Sequence, residues 1–126
     1  MRSSAIEPPV VLIVEDEFII RTAVARAISD AGFEVVEAAN ADQAIAILED
    51  RRDIRVVFTD IQMPGSMDGV KLAQAVRHRW PPIHIIATSG RYGVQSLDLP
   101  SGAAFFPKPY SAQEIARHVH NLIAAL

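Results

Sequence analysis

The stretch Arg55-Val-Val-Phe-Thr59, running on into Asp60-Ile-Gln-Met-Pro-Gly-Ser-Met-Asp68-Gly69, decides how this chain is read. An apolar run of strand length ends in a carboxylate, and a loop punctuated by proline and glycine follows at once. In open α/β sheets, ligands bind where strands give way to loops at their carboxyl ends. A strand-terminal aspartate also has a plainer use, because its side chain satisfies backbone donors of the following turn. Asp60 alone does not separate the two uses, so its surroundings must.

Outward from this stretch, short apolar runs alternate with helical patterns. The runs cover residues 10–14, 34–38, 55–59, 83–88 and 103–106. The first is continuously apolar and the fourth nearly so, which suits strands covered on both faces. Ile20, Val24, Ala27, Ile28 and Ala31 recur at helical spacing before Gly32. Asn40 and Gln43 have capping-box spacing ahead of Ala44, Ile45 and Leu48, and a third helix runs from about Gly69 to Arg79 before Pro81-Pro82. Ser111 and Glu114 repeat the capping box before the stripe Ile115, Val119, Leu122 and Ile123. Between Gly90 and Gly102, Gly93 and Pro100 interrupt the pattern, so a fourth helix there is expected to be short or irregular. Strict alternation implies right-handed crossovers and a doubly wound α/β fold, a parallel five-stranded sheet with helices on both faces.

Bulk properties bound the function. At 126 residues, half of them hydrophobic, the chain makes one domain with a core that needs no staples. The absence of cysteine excludes disulfides and thiolate metal sites. Residues 1–9 read as a disordered tail, with the folded domain at 10–126, and no apolar run approaches membrane-spanning length. These features lead to the expectation of a cytoplasmic protein without a membrane contact. A formal net charge of −3 argues against broad nucleic-acid binding.

In a parallel sheet the carboxyl ends of all strands share one edge. Glu15, Asp16 and Glu17 leave strand one there, Asp60 strand three, Thr88-Ser89 strand four and Lys108 strand five. Each has an ordinary explanation alone: acids at a helix amino terminus, a β-forming threonine, a solvated lysine. Their convergence is harder to explain that way. Glu15, Asp16 and Asp60 bring three negative charges against one positive charge on Lys108, and like carboxylates at close range need compensation. A divalent cation supplies it, and hard oxygen ligands favour Mg²⁺ or Mn²⁺ over zinc. Such a site suits phosphoryl transfer to Asp60, since a carboxylate is a competent nucleophile and the rest is positioning and charge neutralisation.

The motifs Val11-Leu-Ile-Val-Glu-Asp-Glu17, Thr59-Asp-Ile-Gln-Met-Pro64 with Met67-Asp-Gly69, Ile85-Ile-Ala-Thr-Ser89 and Gly102-Ala-Ala-Phe-Phe-Pro-Lys-Pro109 stand in the order and spacing of a known family. The chain resembles the receiver domain of bacterial two-component response regulators from about Val10 to Leu126. The resemblance implies a flavodoxin-like strand order 2-1-3-4-5. It implies that Asp60 accepts a phosphoryl group from a sensor histidine kinase or a phosphotransfer protein. It implies a Mg²⁺ site formed by Asp16, Asp60 and the backbone carbonyl of Gln62, with Glu15 acting through water. Thr88 would hydrogen-bond the phosphoryl oxygens and Lys108 pair with them, and the family has a cis bond before the proline matching Pro109. Thr88 and Phe105 match the family's switch pair. Phe105 lacks a hydroxyl, so it can report by burial alone.

The chain departs from the family pattern in three places. The loop from Asp60 to Asp68 is one residue longer than usual, the stretch from Thr88 to Lys108 is short, and Gly90 leaves no side chain two positions after Thr88. The short stretch bears on a homodimer formed upon phosphorylation, and no residue names the downstream target. A stand-alone signalling domain that turns over no metabolite is expected. The alternatives are a fragment of a longer regulator and a pseudo-receiver that binds partners without phosphorylation. A haloacid-dehalogenase-type phosphatase wants a second aspartate where Gln62 stands, and a flavodoxin-type carrier would not place Glu-Asp-Glu in its first phosphate loop.

Overall fold

The computed structural model describes residues 9–63, 67–90 and 99–124. The strands are β1 (Val10–Val14), β2 (Glu34–Ala38), β3 (Ile54–Asp60), β4 (His84–Ser89) and β5 (Ala104–Pro107). The helices among the described residues are α1 (Phe18–Asp30), α2 (Ala41–Asp50), α3 (Gly69–Arg79) and α4 (Ala112–Ala124). All strand pairs are parallel and the order is β2-β1-β3-β4-β5, so β2 and β5 form the edges.

Alternation along each strand splits the core into two layers. Val10, Leu12 and Val14 point with Val57, Ile85 and Ala87 towards Leu48 of α2 and Leu72 and Val76 of α3. Val11 and Ile13 point with Val56, Phe58 and Ile86 towards Val24 and Ile28 of α1 and Ile115 and Val119 of α4. The sheet is therefore covered on both faces, as its continuous apolar strands require. Each fully buried side chain of this size contributes roughly 1.5–3 kcal/mol, which fixes the register from which the site is built.

Local chemistry sets the element ends. Asn40 Oδ1 accepts from the Gln43 backbone N–H at 2.8 Å while Gln43 Oε1 accepts from the Ala39 N–H at 2.8 Å. Ser111 Oγ accepts from the Glu114 N–H at 3.0 Å, and Asp68 caps α3 through the Lys71 N–H at 2.9 Å. Past α1, Gly32 takes a φ of +102° that a side chain would strain.

Several expectations shift. β3 extends one residue at each end, so Asp60 closes the strand rather than following it, and β4 and β5 begin and end one residue later than read. On α1 the buried residues are Val24, Ala25 and Ile28, while Ala31 is exposed because the helix ends at Asp30. The expected fourth crossover helix, and with it the dimer surface, falls mainly on residues 91–98, outside the described residues. The tail, apart from Pro9, and the extra residue of the loop after Met63 also lie outside them.

Candidate functional site

The register of the central strands gathers the site. Val14 lies beside Thr59, Asp60 beside Thr88, and Ser89 beside Pro107. The Glu15 N–H continues the ladder to the Ala38 carbonyl at 3.1 Å, and the Lys108 N–H donates to the Ser89 carbonyl at 2.9 Å. Glu15, Asp60, Thr88 and Lys108 are thereby held at one edge by backbone bonds rather than by loops. The peptide bond between Lys108 and Pro109 is cis, as the resemblance implied.

Asp60 is 2% exposed and splits its two oxygens. Oδ1 accepts from the Gln62 backbone N–H at 3.2 Å, and Oδ2 accepts from Lys108 Nζ at 2.8 Å. One oxygen of this carboxylate thus serves the following turn, and the other faces Lys108 across the strand ends. Lys108 Nζ also stands 4.0 Å from Glu15 Oε1. Burial opposes the charge on Lys108, but the hydrogen bond and attraction to Asp60, with Glu15 and Glu17 adding, prevail and raise its pKa.

The three acids after β1 divide. Glu15 is fully buried, with Oε2 accepting from the Glu17 N–H at 3.0 Å, whereas Asp16 and Glu17 are exposed. Glu17 precedes α1 as its N-cap but makes no side-chain cap, so helix capping does not explain the cluster. Burial pushes the Glu15 carboxyl up to about 7, with the Glu17 N–H opposing and Asp60 adding to the rise. Oxygens of Glu15, Asp16 and Asp60 lie within 4.8 Å of one another. Glu15 Oε1 and Thr88 Oγ1 are buried with no hydrogen-bond partner among the described residues.

That donor set fits a hard divalent cation. Its members are oxygens, its charge exceeds what Lys108 neutralises, and a buried Glu15 oxygen has no hydrogen-bond donor among the described residues. Gln62, whose carbonyl the resemblance adds to the set, is half-buried and follows Asp60 by two residues.

Phe105 is half-buried and its registered neighbour on β4 is Ala87, so Phe106, not Phe105, lies directly beside Thr88. Phe105 packs on the α2/α3 layer, while Phe106 meets the His118 ring edge-on at 5.2 Å in the other layer. Sequence reasoning placed Ser89 at this edge without a role and missed Tyr110. Ser89 Oγ donates to Gln62 Oε1 at 2.8 Å across 27 positions. Tyr110 has a buried hydroxyl whose pKa is pushed up to about 12 by burial, with Glu15 and Asp60 adding. Its position just past the Lys108-Pro109 motif was the available signal.

Beside Lys108 an apolar groove of about 580 Å³ opens between Ile19, Ile20, Gly90, Pro109 and Tyr110. Ile19 and the adjacent Phe18 are 81% and 67% exposed, unusual for side chains this large.

The family model described as "Response regulator receiver domain" matches residues 11–120. The chain is 36% identical over 118 residues, 90% of its length, to the sensor kinase CckA of Brucella abortus. Among solved structures, a response regulator receiver protein from Sinorhizobium medicae is similar with a TM-score of 0.87 at 26% identity, over 95% of this chain and 98% of that one. The receiver domain of NtrX from Brucella abortus gives 0.81 at 32% identity, over 92% and 99%. The chain spans only 12% of the length of CckA and 18% of the NtrX-like regulator of Rickettsia bellii.

Proposed function

The chain belongs to the response regulator receiver domain family, and we propose that within it Asp60 is the phosphoacceptor, served by Lys108, Thr88 and a Mg²⁺ site of Glu15, Asp16, Asp60 and the Gln62 carbonyl. The observation that carries this reading is the Asp60 carboxylate, buried, 2.8 Å from Lys108 Nζ, and clustered with two further carboxylates beside a Thr88 hydroxyl that has no partner among the described residues.

In the proposed transfer an Asp60 oxygen attacks phosphorus in the phosphohistidine of a partner kinase or phosphotransfer protein. An O–P bond forms, the P–N bond breaks, and the electron pair leaves on the imidazole nitrogen. Lys108 stands where it can follow charge from the Asp60 oxygen to the phosphoryl oxygens, and Thr88 has a donor uncommitted among the described residues. When bound, the cation supplies charge neutralisation for the carboxylates and the incoming phosphoryl group. Thr88 and Phe105 would then pass the change to the outer face of β4 and β5.

The partner's histidine must reach Asp60 from the open edge. The exposed Phe18 and Ile19 and the groove beside Lys108 offer an apolar platform at that approach. Incubation with acetyl phosphate and Mg²⁺ should add one phosphoryl group, visible by intact-mass spectrometry and removed by hydroxylamine. Asp60→Asn and chelation by EDTA should each abolish it. Labelling that persists in Asp60→Asn, or never occurs in the wild-type protein, refutes the reading.

A further inference from the structure

Two residues past β3 are tied to the end of β4 by different means. The Ile61 N–H donates to the Thr88 carbonyl at 2.9 Å, and the Gly69 N–H donates to the Ile61 carbonyl at 3.0 Å, so both Ile61 backbone groups are committed. Gln62 is held differently. Its N–H meets Asp60 Oδ1, and its side-chain carbonyl accepts from Ser89 Oγ at 2.8 Å. Ser89 is 3% exposed and is the last residue of β4, with its own carbonyl bonded to the Lys108 N–H. The Ser89 hydroxyl is therefore mounted on the hydrogen-bonded end of β4, and it holds the side chain of the residue two positions after Asp60.

We propose that Ser89 is a positioning residue for the divalent cation: through its hydrogen bond to the Gln62 side chain it fixes the Gln62 carbonyl in the ligand set. This rests on the metal site of the proposed function. A carbonyl ligand on a loop needs its orientation set by groups outside the ligand shell, and loss of such groups weakens metal binding. The same bond has a second effect. Ser89 follows Thr88 directly, so a shift of β4's end towards a phosphoryl group on Asp60 moves the tether on Gln62. Phosphoryl and cation occupancy are then coupled, and the coupling is reciprocal.

Isothermal titration of Mg²⁺ into the wild-type protein, Ser89→Ala, Gln62→Met and the double variant tests this. Each single variant should raise the Mg²⁺ Kd about tenfold, the low end for lost outer-shell partners. The double variant should be no weaker than either single, because both remove the same bond. Saturating Mg²⁺ should restore wild-type labelling of Asp60 in Ser89→Ala, since the defect is affinity and not chemistry. Circular dichroism melts check that both single variants fold. Wild-type affinity in a folded Ser89→Ala, or losses that multiply in the double variant, overturn the inference alone. Failure of the wild-type protein to bind Mg²⁺, or wild-type binding by Asp16→Asn, overturns the metal site itself and this inference with it.

Discussion

A buried hydroxyl without a hydrogen-bond partner costs a folded chain roughly 1–3 kcal/mol, and Thr88, beside Asp60, has none among the described residues. Valine has nearly the same shape and no such group. Thr88→Val should therefore leave stability unchanged or raise it by about 1 kcal/mol in urea unfolding, although it removes a site residue. The same variant should still accept a phosphoryl group on Asp60 but lose the accompanying shift of β4 and β5 resonances in NMR spectra. A drop in stability larger than about 1 kcal/mol would mean that the hydroxyl has a partner in solution. Glu15 and Asp16 make the complementary point about legibility. They are neighbours of one chemical type, and nothing in their spacing says that the first is sealed in and the second faces water. That division follows from Glu15 extending the β1 ladder by one further bond to Ala38.

Elements meet most closely where α3 begins. A Cβ built on Gly69 would stand 2.6 Å from the Ile61 Cα and still nearer the Asp60 carbonyl, so only glycine allows the helix to start against the end of β3. Gly69→Ala should push α3 away from the sheet and cost roughly 2–4 kcal/mol, with acetyl phosphate labelling of Asp60 slowed in the folded fraction. Wild-type unfolding and labelling in that variant would remove this constraint. Gly69 was readable only as the start of a helix, since its close contact spans two elements. Capping was far more legible, because Asn40 with Gln43 and Ser111 with Glu114 act within one turn. The central strands β1, β3 and β4 were legible to within a residue because both of their faces are largely apolar. The Ser89–Gln62 bond was not, since it links residues with common local roles across 27 positions.

For the molecule as a whole, the buried carboxyl at the acidic edge makes stability depend on pH. Glu15 has its pKa raised to about 7 by burial, so the folded state holds its proton more tightly than the unfolded chain does. The resulting stability is complete below about pH 4.5 and is lost as pH rises to about 7, worth roughly 3 kcal/mol. In EDTA, unfolding free energy should fall across that window, and Glu15→Gln should flatten the fall. Mg²⁺ should restore the loss in the wild-type protein and much less in the variant. A flat wild-type profile in EDTA would exclude a costly buried Glu15 charge. The open sheet has a different consequence, for crowding. Outer strands offer their unpaired backbone to any other copy that unfolds or passes nearby. β2 carries Glu34 and Glu37, each engaged by an arginine, and β5 is four residues long and ends in Pro107. A charged margin on one side and a clipped one on the other make both poor templates for a growing aggregate, so the acidic edge can stay exposed without the sheet readily becoming a seed.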